Sequence, residues 1–214
     1  MGAGIGLVLS VPPLIIGMVA IRLTMGPGVV FRQVRPGRNG RSFTLYKLRT
    51  MTTAPEGDTQ KGSDFSRVTP VGRLLRTTSI DELPQLWNVL RGDMSLVGPR
   101  PLLTKYLPYY DEVQMRRHNM KPGITGWAQI HRRTAVTWQE RLALDVWYID
   151  HWTPWLDAFI LLCTVRDVIS REGDPAMDSL SRTTDNEQEF RGNSASGLAS
   201  AAGARTTASV QERP

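Results

Sequence analysis

The sequence predicts an α+β fold that is mostly helical: a small membrane-associated domain. It has an N-terminal re-entrant helix-break-helix, a short β-hairpin and interfacial amphipathic helices. Three observations predict it. Residues 1–21 carry no charge but are interrupted by Pro12-Pro13. Residues 28–51 alternate loosely around a Pro36-Gly37-Arg38-Asn39-Gly40 turn. Beyond them, apolar residues recur at helical spacing behind Thr-Pro starts.

The first element is a straight helix of about 32 Å if unbroken, near the thickness of a bilayer core. Pro12 and Pro13 remove two donors and crowd the preceding turn, so a kink is expected there, with Ser10 able to satisfy a freed carbonyl. A helix broken in this way enters and leaves by one face. Arg22 is the first charge, and from Arg22 to Arg49 there are seven basic residues and no acid. That collar favours an anionic cytoplasmic leaflet. A cleaved signal peptide is disfavoured, because no basic region precedes the apolar run. The missing basic start leads us to expect that a few N-terminal residues are absent.

Two short strands are expected to flank the Pro36–Gly40 turn. Residues 52–67 are polar and aperiodic, as in a mobile loop. Thr69-Pro70 reads as a cap with proline in the first turn. Leu83, Leu86, Trp87 and Leu90 then share one helical face. Helices are expected over 104–118 and 137–149, and another after Thr153-Pro154. The last carries Trp155, Leu156, Phe159, Ile160 and Leu162. It suits a membrane interface or an ordinary core. From Asp174 the composition turns to Ser, Ala, Gly and Thr, so 174–214 is expected to be a disordered tail. The division is therefore 1–24, 25–173 and 174–214. Net charge is +6, yet the tail holds four arginines against six acids, leaving the body more basic. Cys163 alone excludes an intrachain disulfide, and His118, His131 and His151 lack zinc-ligand spacing.

The chemistry-bearing stretch is Ser79–Pro101. Adjacent carboxylates, Asp81 and Glu82, precede an amphipathic run, and Gly98-Pro99-Arg100-Pro101 follows. Arg100 between two prolines is suited to bidentate phosphate binding. Paired carboxylates beside a diphosphate repel it unless a cation intervenes, and Mg2+ binds by one or two carboxylates plus phosphate oxygens. The alternative is structural. Ser79-x-x-Glu82 is also a capping box, with Asp81 merely complementing the helix dipole.

This stretch resembles the signature of the bacterial sugar transferases, polyprenyl-phosphate phosphoglycosyltransferases. Three further blocks agree in order: Val30–Gly37, Tyr46–Met51 and Lys121–Gln129. The similarity covers roughly residues 5–170. It implies that 25–173 is a catalytic domain that moves a sugar-1-phosphate from a nucleotide-diphosphate sugar, a UDP-sugar by default, to polyprenyl (undecaprenyl) phosphate. It implies a covalent phospho-aspartate on Asp81, release of UMP, and the start of a glycan or exopolysaccharide. Glu82 would assist, and Asp81 and Glu82 would place Mg2+. Arg100, Arg76, Lys47, Arg49 and Arg133 would bind phosphate or substrate. The protein would be monotopic at the cytoplasmic face of a bacterial cell membrane, with Ser10, Pro12 and Pro13 as the membrane hinge. Two departures stand out. The family's Ser-Pro hinge is Ser10-Val11-Pro12-Pro13 here, and its Asn-Gly-Arg-Asn run is His131-Arg132-Arg133-Thr134. The alternative function is a non-catalytic basic membrane-surface binding protein. Charge alone also admits a nucleic-acid binder, but no motif supports one.

Overall fold

A helix, α1 (Gly2–Met25), leads the chain and runs through both Pro12 and Pro13. The structure, a computed structural model, describes residues 2–53, 67–131 and 137–170, with 2–9 as backbone alone. The expected helix-break-helix is thus corrected to one continuous helix. Two prolines in succession remove only two N–H groups, and the ladder continues on either side of them. Ser10 is buried at this level. Among the described residues, no helix is long and apolar enough to cross a membrane.

The two long faces of α1 differ in what covers them. Leu14, Met18, Ile21 and Met25 pack on Leu48, Leu75 and Ile80. Gly17 permits this approach, because a Cβ there would meet Leu48 Cδ1 at 3.0 Å and Leu75 Cδ2 at 3.2 Å. Val11, Ile15, Ile16, Val19 and Leu23 face outward, with Leu23 80% exposed. A helix that is apolar all round needs an apolar cover on both sides.

The hairpin forms as expected. Strands β1 (Val30–Pro36) and β2 (Ser42–Leu48) pair antiparallel, with Val30 opposite Leu48 and Pro36 opposite Ser42. Its turn is a 3-10 segment, Arg38–Gly40, in which Asn39 takes a left-handed conformation at φ 57°. Helix α2 (Pro70–Thr77) is capped by Thr69, whose hydroxyl accepts from the Gly72 amide at 3.0 Å. Met51 pairs with Val68 across the base of the intervening loop, whose residues 54–66 lie outside the described residues.

Helix α3 (Gln85–Arg91) does not bury one continuous apolar face. Leu86 is buried, while Trp87 and Leu90 are exposed. The helix begins only after Pro84, and the inward position goes to Asn88, which is 0% exposed. Its amide donates to Thr44 O at 2.7 Å and its carbonyl accepts from Tyr46 N at 3.2 Å, as a neighbouring strand would. Asn88→Ala leaves both strand groups unpaired. It is expected to lower stability by about 2–3 kcal/mol, readable by thermal unfolding in detergent.

The helix expected over 104–118 is divided. A 3-10 turn (Thr104–Tyr109) is followed by α4 (Glu112–Met115) and a second 3-10 turn (Arg116–Asn119). Pro108 removes a donor inside the first piece, and Asp111 restarts the helix through a capping box with Gln114. A short parallel pair, β3 (Ser95–Val97) with β4 (Gly123–Thr125), was not foreseen. Three residues are too few to show alternation. Gly123 lets the two backbones stack, since a Cβ there would lie 2.1 Å from Gly98 N. This contact fastens the Lys121–Gln129 block to the Gly-Pro-Arg-Pro turn. Helices α5 (Trp127–Ile130), α6 (Trp138–Asp150) and α7 (Pro154–Ile169) complete the fold. Thr153 caps α7 as expected. Trp155, Phe159, Leu162, Val165 and Ile169 of α7 are exposed, Trp155 by 86%. The tail over 174–214 lies outside the described residues.

Candidate active site

Helix α2 ends in a reversal. Ser79 adopts φ 56°, a left-handed conformation, and turns the chain into a 3-10 segment, Ile80–Glu82. Pro84 then stands at the N-cap of α3. Asp81 and Glu82 therefore sit on a tight corner between two helices. The capping-box alternative is not formed: Ser79 makes no side-chain cap. Glu82 turns instead to two cations. It accepts from Lys47 Nζ at 2.6 Å and from Arg100 Nη2 at 2.7 Å. Ile80, one residue before Asp81, packs against the cluster that holds α1, so the corner is fixed directly to that helix.

Four elements thus converge. The corner supplies Asp81 and Glu82, β2 supplies Lys47, the turn after β3 supplies Arg100, and α2 supplies Arg76. Arg76 Nε donates to Thr50 Oγ1 at 2.8 Å, and its charge acts on Asp81. Arg49 is placed elsewhere. Its guanidinium donates to Met25 O at 2.6 Å and Gly26 O at 3.1 Å, closing the C-terminal end of α1. Cationic donors at free carbonyls are what a helix C-terminus favours. Arg133 lies outside the described residues.

The two carboxylates differ electrically. Asp81 is only 6% exposed, and its pKa is pushed up to about 6. Burial is the main cause. The Glu82 charge adds to it, while Lys47, Arg76 and Arg100 oppose it. Burial also acts to raise Glu82, but the charges and hydrogen bonds of Arg100 and Lys47 outweigh it. They hold that carboxyl well below the ordinary carboxylate range. One carboxylate is thus held ionised by the two cations it pairs with, and its neighbour is buried and proton-affine. A desolvated, weakly solvated carboxylate beside cations is suited to attack an anionic phosphorus centre once that centre's charge is neutralised.

For a divalent cation, Asp81 and Glu82 offer two adjacent hard oxygen donors. Among the described residues there is no cluster of three or more His, Cys, Asp or Glu able to hold a metal alone. This donor set fits Mg2+ in the manner in which it is usually held, by one or two carboxylates with the rest of its octahedron from phosphate and water.

Behind the Gly-Pro-Arg-Pro turn lie two buried charges that sequence reasoning did not single out as site residues, Arg117 and Asp145. The available signal was Asp145 itself, a carboxylate set among the buried Leu142, Val146 and Tyr148 of α6.

Comparisons with known proteins identify the family. The sequence profile of the bacterial sugar transferases matches residues 1–171. An uncharacterized sugar transferase, EpsL, of Bacillus subtilis (strain 168) is 56% identical over 156 residues, 73% of this chain and 77% of the relative. A UDP-glucose:undecaprenyl-phosphate glucose-1-phosphate transferase of Caulobacter vibrioides is 43% identical over 176 residues, 77% of this chain and 65% of the relative. An undecaprenyl-phosphate galactose phosphotransferase of Salmonella typhimurium is 40% identical over 165 residues, 69% of this chain but 34% of the relative. The chain therefore spans less than two thirds of the length of the last two. The matched span takes in α1, the Asp81-Glu82 corner, the Gly-Pro-Arg-Pro turn and α7 together, and on that match the chain belongs to the bacterial sugar transferase family.

Proposed function

We propose that the chain transfers a sugar-1-phosphate from a UDP-sugar to undecaprenyl phosphate through a covalent intermediate on Asp81. A carboxylate oxygen of Asp81 attacks the sugar-bearing phosphorus. The diphosphate P–O bond breaks, and UMP leaves with its electron pair. A phosphate oxygen of the lipid then attacks the same phosphorus. The bond to Asp81 breaks, the carboxylate is regenerated, and the product is a lipid diphosphate sugar. The observation that carries this reading is a buried carboxylate whose immediate neighbour holds Lys47 and Arg100 ready at 2.6 and 2.7 Å. Those cations would meet the diphosphate, with Arg100 offering a planar fork. Mg2+, held by Asp81 and Glu82, would supply charge neutralisation at the diphosphate.

The acceptor places the reaction at a membrane surface. The outward faces of α1 and α7 are apolar and exposed, and the basic stretch that follows α1 suits an anionic cytoplasmic leaflet. The contact of Ile80 with the α1 cluster would keep Asp81 near the depth of a lipid phosphate. We read the protein as monotopic.

The test omits the acceptor. Full-length protein mixed with UDP-glucose or UDP-galactose and Mg2+ should release about one equivalent of UMP. A sugar-phosphate adduct should then be found on the peptide containing Asp81 by mass spectrometry. UMP release only when undecaprenyl phosphate is present, with no adduct, would sink the two-step route in favour of direct transfer.

A further inference from the structure

The Gly-Pro-Arg-Pro turn has an unusual hydrogen-bond problem. Pro99 and Pro101 have no N–H, so Arg100 supplies the sole backbone donor across these three residues, while three carbonyls remain to be satisfied. Each is met from a different part of the fold. Pro99 O accepts from Gly123 N of β4 at 3.0 Å. Arg100 O accepts from Arg117 Nη2 at 2.7 Å. Pro101 O accepts from Arg35 Nη1 of β1 at 3.1 Å. Three consecutive carbonyls fastened in three directions fix the Cα of Arg100 before its side chain makes any contact.

Arg117 is the most heavily invested of the three. It is 2% exposed and is held by Asp145, which accepts from Nη2 at 2.6 Å and from Nε at 3.1 Å. Tyr110 receives Nη1 at 3.4 Å, and its ring lies 5.7 Å from the guanidinium carbon. A buried ion pair is a poor way to gain stability, since apolar residues of similar volume do as well or better. What apolar residues cannot do is donate to the Arg100 carbonyl.

We infer that Arg117, oriented by Asp145, is a positioning residue for phosphate recognition. It holds the backbone of Arg100 so that the Arg100 guanidinium stays at the Asp81-Glu82 corner. The inference rests on the proposed role of Arg100 as a phosphate ligand. It assigns the buried pair a task in transfer rather than in folding. Arg35 acts alongside it on the next carbonyl, and Gln33 Oε1 orients Arg35 by accepting from Nη2 at 2.6 Å.

The decisive variant replaces the pair without leaving a lone buried charge: Arg117→Met combined with Asp145→Leu. Thermal unfolding in detergent should show a folded protein close to the parent in stability, because the carbonyl left without its donor offsets what the apolar pair gains. Amide hydrogen exchange in the peptide spanning 97–103 should nevertheless speed up. The kcat/KM for UMP release from UDP-glucose should fall about 100-fold, the scale expected for a displacement near 1 Å. Arg117→Lys, which keeps charge but cannot reach Asp145 and the carbonyl together, should not restore it. In an Arg100→Ala background the same double replacement should cost less than about twofold, because a residue acting through Arg100 has nothing left to position. Equal losses in both backgrounds, or full activity in the folded double variant, would overturn the inference. If the unaltered protein releases no UMP from either UDP-sugar, the transfer reading fails by itself. The exchange measurement then judges the pair alone, and unchanged protection over 97–103 overturns its positioning role.

Discussion

Asp81→Asn is expected to abolish transfer and to stabilise the protein. Turnover should fall by ~10⁴-fold or more, since the amide keeps the shape of the carboxylate but cannot form the acyl phosphate. The stability effect follows from the pKa. Asp81 ionises near 6 in the folded chain against an ordinary value of 3.8, burial being the main cause. A raised carboxyl pKa means that the native state prefers the protonated form. The stability this form contributes is fully present below 3.8 and is lost as pH rises through about 6. Above that, the ionised and buried group is a standing cost. At pH 7.5 in metal-free buffer the asparagine variant should therefore unfold later, by on the order of 2 kcal/mol, or about 5 °C. The difference should vanish toward pH 3.5, where both chains carry a neutral group. A variant that is inactive and also less stable at pH 7.5 would mean that Asp81 is a structural carboxylate. A fully active variant would remove it from the chemistry.

Parts of this fold are legible where the signal is local. The Thr69 and Thr153 caps, the Pro36–Gly40 hairpin and the start of α6 each depend on residues within one or two turns of one another. Local reasoning misleads where tertiary packing decides. Pro12 and Pro13 do not divide α1, whose second half, from Leu14 to Met25, packs on Leu48, Leu75 and Ile80. Ser79 looks like a cap, but its left-handed backbone sends Glu82 toward Lys47 and Arg100. Those partners stand 35 and 18 residues away, and no periodicity links them. Their convergence was readable only through the motif blocks as a set. Arg117 and Asp145 belong to no such block and are 28 residues apart. A charge in the buried stripe of α6 marks that something unusual is there, without saying what it meets.

Glu82→Gln is expected to separate binding from turnover. The Glu82 carboxylate now occupies the two cations that the diphosphate would need, through Lys47 at 2.6 Å and Arg100 at 2.7 Å. In that sense it stands in for a phosphate group. A nucleotide that binds must displace it, and the displaced carboxylate becomes free to hold Mg2+ beside Asp81. Removing its charge takes from Lys47 and Arg100 the hydrogen-bonded anion they now share, so the variant should bind UDP more tightly than the parent in metal-free buffer. Titration calorimetry should show a gain of about tenfold, the worth of one charge-assisted contact no longer competed for. Turnover should move the other way, falling about 100-fold or more. The freed cations would pair with Asp81, and the metal would lose one of its two protein oxygens. The raised pKa of Asp81 should relax as well, because the Glu82 charge is one of the causes that lift it. Tighter UDP binding with lost turnover supports the exchange of cations from carboxylate to phosphate. Weaker UDP binding would show instead that Glu82 holds Lys47 and Arg100 in place for the substrate, and that the exchange does not occur.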